Sequence, residues 1–356
     1  MKKSGFKAVK HLPKITLIAV SLIELLVFPT EIGNGVKAGL TLLGESIIPA
    51  LFPFMILSTY ISFSPYSRTL SRLFNKPARK LFNVDGAGLT AVISGILGGY
   101  PIGAKTVSDF YTMNVLSKED SHRLLSWCVN PSPSFVITAI GTFMLNNKKS
   151  GIIMYSSILL ASLTIGIAVR FTGKNSSLPE NYSLAQITDN KNIFINSVAS
   201  GSKAMLSICG WVLVFSAATA GVDCLCPNER VSLFIKALSE VTTGCKSVAA
   251  TNFPLPLICA IIGFGGFAVI FQIAPYLQKC GYDLKLFICW RALTGALSAF
   301  YCSQIIRLFP DEQSVSQIIL LSGKSYAFSH SITASIILIF TCIVLILEVD
   351  NKRKVW

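Results

Sequence analysis

Four uncharged apolar runs, Gly86–Ala104, Ser150–Val169, Ala204–Val222 and Ser331–Leu347, decide what this chain can become. Each matches, or nearly matches, one membrane span of about 20 residues. In hydrocarbon every backbone N–H and C=O needs a partner within the protein, which leaves helices and closed barrels. The strand-period pattern of a membrane barrel is absent, so the spans are helical. Composition agrees. Of 356 residues 52% are hydrophobic and 13% charged, against about 25% charged in soluble domains. Mean hydropathy is +0.61. The run Ser247–Gln278 is longer than one straight span needs. It contains Pro254, Pro256, Gly265, Gly266 and Pro275, and reads as a span with a bent or re-entrant piece.

A net charge of +14 could suggest nucleic acid. The basic residues instead stand in short segments beside apolar runs, where they set topology, so no nucleic-acid partner is expected. Lys2, Lys3, Lys7 and Lys10 precede a first span, Ile15–Phe28. Arg68, Arg72, Lys76, Arg79 and Lys80 follow the second, and Lys352, Arg353 and Lys354 close the chain. All three groups belong on the cytoplasmic side, which places both termini there with an even number of crossings. Anionic lipid is a compatible partner of the same residues.

The chain divides at a hydrophilic stretch, residues 172–192. Residues 1–171 form one expected transmembrane repeat and residues 193–356 a second. Each half runs from a span through a glycine-bearing lysine segment to a broken apolar stretch. The first has Gly98-Gly-Tyr-Pro-Ile-Gly-Ala-Lys105, then Asn130-Pro-Ser-Pro-Ser134. The second has Ser239-Glu-Val-Thr-Thr-Gly-Cys-Lys246, then Gly263-Phe-Gly-Gly-Phe267. Broken segments at corresponding places in two halves point to the binding site of a transporter. Irregular backbone at membrane depth must line protein or water. The expected breaks are Gly98, Gly99, Pro101, Gly103, Pro131, Pro133, Gly265 and Gly266, with the Gly98–Lys105 and Asn130–Ser134 segments approaching each other.

Asn130, Ser132 and Ser134 offer polar groups to a ligand where two prolines remove backbone donors. Alternatively the segment is a kink satisfied by neighbouring helices. Lys105 and Lys246 could hold an anion. Either could instead snorkel to an interface, and Asp109, one turn beyond Lys105, could neutralise it. Arg291 interrupts an apolar run, and its fork matches a carboxylate, although a helix-end pairing with Asp283 is equally open. Gln272, Asn252 and Glu45 are weaker candidates. Ten cysteines lie scattered in apolar segments and read as small packing residues. The three histidines show no ligand spacing, so no metal site is expected. With no Walker lysine motif and no Gly-x-Ser-x-Gly elbow, neither an enzyme nor a bound cofactor is expected.

Pro49-Ala-Leu-Phe-Pro-Phe-Met-Ile-Leu-Ser58, the Gly98–Lys105 motif and Asn130-Pro-Ser-Pro-Ser-Phe-Val-Ile137 resemble the YlbJ-type sporulation integral membrane proteins of endospore-forming bacteria. That family is assigned to the nucleoside-transporter Gate-domain superfamily. The resemblance spans nearly the whole chain and is looser in the second half. It implies an all-α polytopic fold similar to concentrative nucleoside transporters, with two inverted repeats and re-entrant hairpins. It further implies a carrier that moves dipicolinate, a small aromatic dicarboxylate, across the outer forespore membrane by alternating access. The expected substrate-binding residues are then Lys105, Asn130, Ser132, Ser134, Lys246 and Arg291. A homo-oligomer is compatible. The rival readings are a nucleoside or nucleobase transporter, which would favour uncharged polar and acidic site residues, and a non-transporting assembly protein of the spore envelope.

Overall fold

The computed structural model describes residues 26–172, 192–225, 228–249 and 254–308. The expected spans Ile15–Phe28 and Ser331–Leu347 therefore lie wholly or mostly outside the described residues. So do nearly all of the 172–192 linker and both basic termini. Among the described residues the chain is all-helical, and it is a polytopic membrane protein. Five helical segments are long and apolar enough to cross a membrane: Pro29–Phe63, Lys148–Val169, Ile193–Ala220, Leu255–Lys279 and Leu284–Leu308. A sixth is a bent pair, Tyr66–Phe82 with Gly86–Gly98, which turns by 92°.

In chain order, α1 (Pro29–Leu42) passes through a π-helical turn, π1 (Leu43–Ile47), into α2 (Ile48–Phe63). Next come α3 (Tyr66–Pro77), π2 (Ala78–Phe82), α4 (Gly86–Gly98), α5 (Tyr100–Thr112) and α6 (Lys118–Leu125). A third π-helical stretch, π3 (Ser134–Met144), leads into α7 (Lys148–Val169). The second half holds α8 (Ile193–Leu225), α9 (Glu229–Ser239), α10 (Val241–Ala249), α11 (Leu255–Phe264), α12 (Gly266–Lys279) and α13 (Leu284–Leu308).

Local chemistry explains the boundaries. Asp85 caps α4 by accepting from the Gly86 amide at 2.6 Å. Ser117 caps α6 by accepting from the Asp120 amide at 3.0 Å. That helix carries Glu119 and Asp120 in its first turn and His122 and Arg123 in its last, which suits both ends of its dipole. Asn147 caps α7 through the Ser150 amide. The basic residues Arg68, Arg72, Lys76, Arg79 and Lys80 lie on α3 and π2, not on a loop. With Tyr66 and Leu73 exposed on the same short helix, and a right-angle turn after it, α3 has the build of an interfacial helix.

Small residues set the closest helix approaches. A Cβ on Gly103 would stand 2.4 Å from the Cys128 carbonyl oxygen and 3.1 Å from Gly95 Cα. The α4–α5 crossing and the chain entering π3 therefore share one point. On Gly166 a Cβ would meet the Trp127 ring at 2.8 Å, and that indole stacks on Phe82 at 4.6 Å.

Polar contacts join the halves at several points. Tyr100 donates to the Ile262 carbonyl at 2.6 Å, and Arg291 to the Val129 carbonyl. His122 pairs with the Cys280 carbonyl, Ser126 with the Tyr282 hydroxyl and Thr164 with the Tyr301 hydroxyl. Burial pushes the Tyr282 phenol up, and the Ser126 hydrogen bond partly offsets it.

Candidate functional site

The two broken regions meet at a small central cavity. On the first-half side, α4 ends at Gly98, and Gly99 turns the chain with φ 90° and ψ −176°. That conformation is open in practice to glycine. Gly99 lies beside Ser132, whose amide would be 3.5 Å from a Cβ there. The two first-half breaks therefore touch. The expected break is narrower than its motif. Pro101 stands in the first turn of α5, where a missing N–H costs nothing, and Gly103 and Lys105 are helical. Pro101 and Gly103 are thus corrected from breakers to helix residues. The chain is non-helical from Cys128 through Ser132, and Pro133 already opens the following helix.

On the second-half side, α11 ends at Gly265, left-handed at φ 87°, and Gly266 at φ 75° opens α12. A separate break at Glu240 divides α9 from α10. The Glu240 carboxylate turns back on its own chain and accepts from the Thr242 amide at 2.9 Å and the Thr243 amide at 2.6 Å. This is an N-terminal cap by a carboxylate, favoured by the helix dipole.

The cavity between these breaks measures about 40 Å³, room for a few waters. Leu51, Phe135, Trp211 and Val269 give it apolar walls. Its polar groups are Ser132, Tyr100, Glu240, Thr242 and Gln272. Glu240 is 2% exposed and Gln272 7%. Gln272 Nε2 has no hydrogen-bond partner among the described residues, a costly state for a buried donor that a ligand would relieve.

Of the expected binding residues, Ser132 reaches this wall. Ser134 sits beside it, with its hydroxyl 3.1 Å from that of Ser132. Asn130 is buried one layer out. Its amide donates to the Trp127 carbonyl at 2.9 Å and to Ser162 at 3.0 Å, while its Oδ1 has no partner. None of the three expected cations lines the cavity. Lys105 pairs with Asp109 at 2.5 Å and lies over the Phe63 ring. Lys246 is exposed and borders a separate open groove of about 150 Å³, together with Lys236, Thr243 and Ser216. Arg291 is 1% exposed, and its guanidinium donates to three backbone carbonyls rather than to a ligand space.

Gln272 stands among the weaker sequence candidates, and Glu240 appears there only within the Ser239–Lys246 motif. Its signal was local: an acid at a helix start, two and three residues before amides that need an acceptor.

The chain is 25% identical to the sporulation integral membrane protein YlbJ of Bacillus subtilis (strain 168), with 74% of this chain and 75% of that protein covered. No family model and no solved structure matches it.

Proposed function

Taking the chain as a YlbJ-type sporulation integral membrane protein, we propose that it is a carrier for dipicolinate and that the acid crosses with its charge balanced. The observation that carries the reading is the cavity at which the breaks at Gly99, Ser132 and Glu240 meet, with the unpaired Gln272 amide on its wall. Discontinuous helices around a midplane site are the architecture by which secondary carriers hold a solute and alternate access. A membrane protein serving only assembly would have no use for a buried amide donor left unpaired at the wall of an apolar cavity.

Charge balance follows from the cavity wall. A ligand carboxylate about 5 Å from Glu240 would be repelled by roughly 3 kcal/mol at an effective dielectric constant of 20. The free dianion is therefore a poor occupant. A protonated or cation-bound dipicolinate is a better one, since aromatic and apolar walls at Trp211 and Phe135 suit a ring once the cavity widens, and the acid's carbonyl oxygens can accept from Gln272. Volume makes the same demand for movement. The described conformation is too narrow for an aromatic diacid and represents a closed state, so loading requires the breaks to part.

A second reading draws on the same two residues. Glu240 as acceptor and Gln272 as donor suit the polar edge of a neutral heteroaromatic, as in a nucleoside or nucleobase. Proteoliposomes containing this protein alone separate the two. Accumulation of labelled dipicolinate, faster at acidic external pH or with a divalent cation, supports the first. Uptake of labelled nucleoside with none of dipicolinate establishes the second. Uptake of neither removes the carrier reading.

A further inference from the structure

α11 ends inside the protein, and its last four carbonyls can be followed one by one. Ile261 accepts from the Gly265 amide at 2.9 Å. Ile262 accepts from the Tyr100 hydroxyl at 2.6 Å. Gly263 accepts from Arg291 Nη2, and Phe264 from Arg291 Nε at 3.0 Å. The remaining arm of the same guanidinium, Nη1, donates to the Val129 carbonyl, in the non-helical run of the other half. The Tyr100 ring lies 5.6 Å from the guanidinium carbon.

The chemistry of this point is that of a cation site. A helix C-terminus presents partial negative charge and unpaired carbonyls. A third carbonyl comes from a second break, and an aromatic face closes one side. No carboxylate pairs with Arg291 among the described residues. In carriers with unwound helices such converging carbonyls hold a free ion.

We propose that this is a monovalent-cation site filled by the protein's own guanidinium, so that Arg291 is a built-in ion bridging the breaks of the two halves. Three acceptors, each met by a different guanidinium nitrogen, match the fork of arginine and not the point charge of lysine. A free alkali cation has no place here while Arg291 occupies it. The consequence for energy coupling rests on the carrier reading; the site itself does not. If the protein is a carrier, its driving ion binds elsewhere.

The test is thermal unfolding of the purified full chain in detergent. Removing a buried cation leaves three carbonyls without donors, so Arg291→Ala is expected to lose on the order of 10 °C. Low-millimolar guanidinium should restore part of that loss in Arg291→Ala, and should leave the wild type unmoved. Sodium, potassium and urea at the same concentration should not restore it. Arg291→Lys should fall between the two and ignore guanidinium, because its ammonium still fills the space but reaches fewer carbonyls. Exchanging sodium for choline at fixed ionic strength should leave the wild type unchanged. Arg291→Ala as stable as wild type, or recovery equal with sodium, would overturn the assignment. Should Arg291→Ala not be recoverable from membranes, a wild-type-like Arg291→Lys or a sodium-stabilised wild type overturns it equally. Loss of transport with every stability result as expected would touch the carrier reading and not this one.

Discussion

The first-half break at Gly99 is flanked by helices locked together at Gly95 and Gly103, whereas the second-half break turns at Gly265 with ordinary contact space around it. Around Gly103, Gly95 and Cys128 there is no volume for one additional methyl group. Around Gly265 the nearest atoms to a Cβ stand at 3.4 to 3.5 Å, ordinary contact distance, so the glycine serves the left-handed turn alone. The first region is held by packing and the second by backbone conformation and hydrogen bonds. The difference marks the Gly265 turn, rather than the close-packed Gly95–Gly103 crossing, as the point that can rearrange at lower cost. Hydrogen-bonded termini exchange partners more easily than close-packed backbone gives way.

The largest expected effect breaks the comparison at its stiff end. Gly103→Val would drive a side chain into the Cys128 carbonyl, and should cost more than about 4 kcal/mol, seen as loss of folded protein from the membrane fraction. An intact variant with normal melting would show that the first region is looser than its packing implies. Next comes the pair Gly99→Ala and Gly265→Ala. Both strain a positive φ, at about 1–3 kcal/mol for Gly99 and about 1–2 kcal/mol for Gly265. The ranking, read from melting temperatures of the single variants, should put Gly99 first. Asn130→Asp keeps the size but removes both donated hydrogen bonds, with an expected loss of about 1–3 kcal/mol.

Smaller still is Glu240→Gln. One of the two amides it accepts would lose its carboxylate oxygen, for about 1 kcal/mol of stability. The informative readout is uptake. Without the fixed negative charge the requirement for acid or a divalent cation should relax. The least effect on stability belongs to Lys105→Met, whose partly exposed pair with Asp109 is worth less than about 1 kcal/mol. Its uptake sharpens the contrast. Normal transport leaves Lys105 a structural partner of Asp109, and abolished transport at normal abundance makes it a substrate residue in a state with the breaks apart.

Much of this arrangement can be read without coordinates. The spans declare themselves by uncharged length, and Gly99 and Asn130–Ser134 by residue types that hydrocarbon tolerates only under cover. Position within a helix is harder to see. Pro101 looks like a breaker until its place in a first turn is known, and then it is a starter. The lysines are ambiguous for a different reason. A cation in an apolar run signals a buried anion or a nearby partner equally well, and Asp109 was the partner for Lys105. Arg291 hid its role because its acceptors are main-chain atoms, which every residue carries and no motif can mark. The cavity's acid and amide, Glu240 and Gln272, are 32 residues apart in sequence (272 − 240) and share a wall only once α10 and α12 have packed.

π3 carries Phe135 to the cavity wall, with its ring edge-on to Tyr100 at 6.5 Å. A π-helical stretch holds surplus residues relative to an α-helix of equal turns. Such a surplus behaves as a dislocation does in a crystal row. Sliding it by one position hands hydrogen bonds from one neighbour to the next, and the rod never uncoils. Side chains it passes rotate by about 100° per residue displaced. In π3 that motion would swing Phe135 out of the wall like a shutter, with both helix ends left where they are.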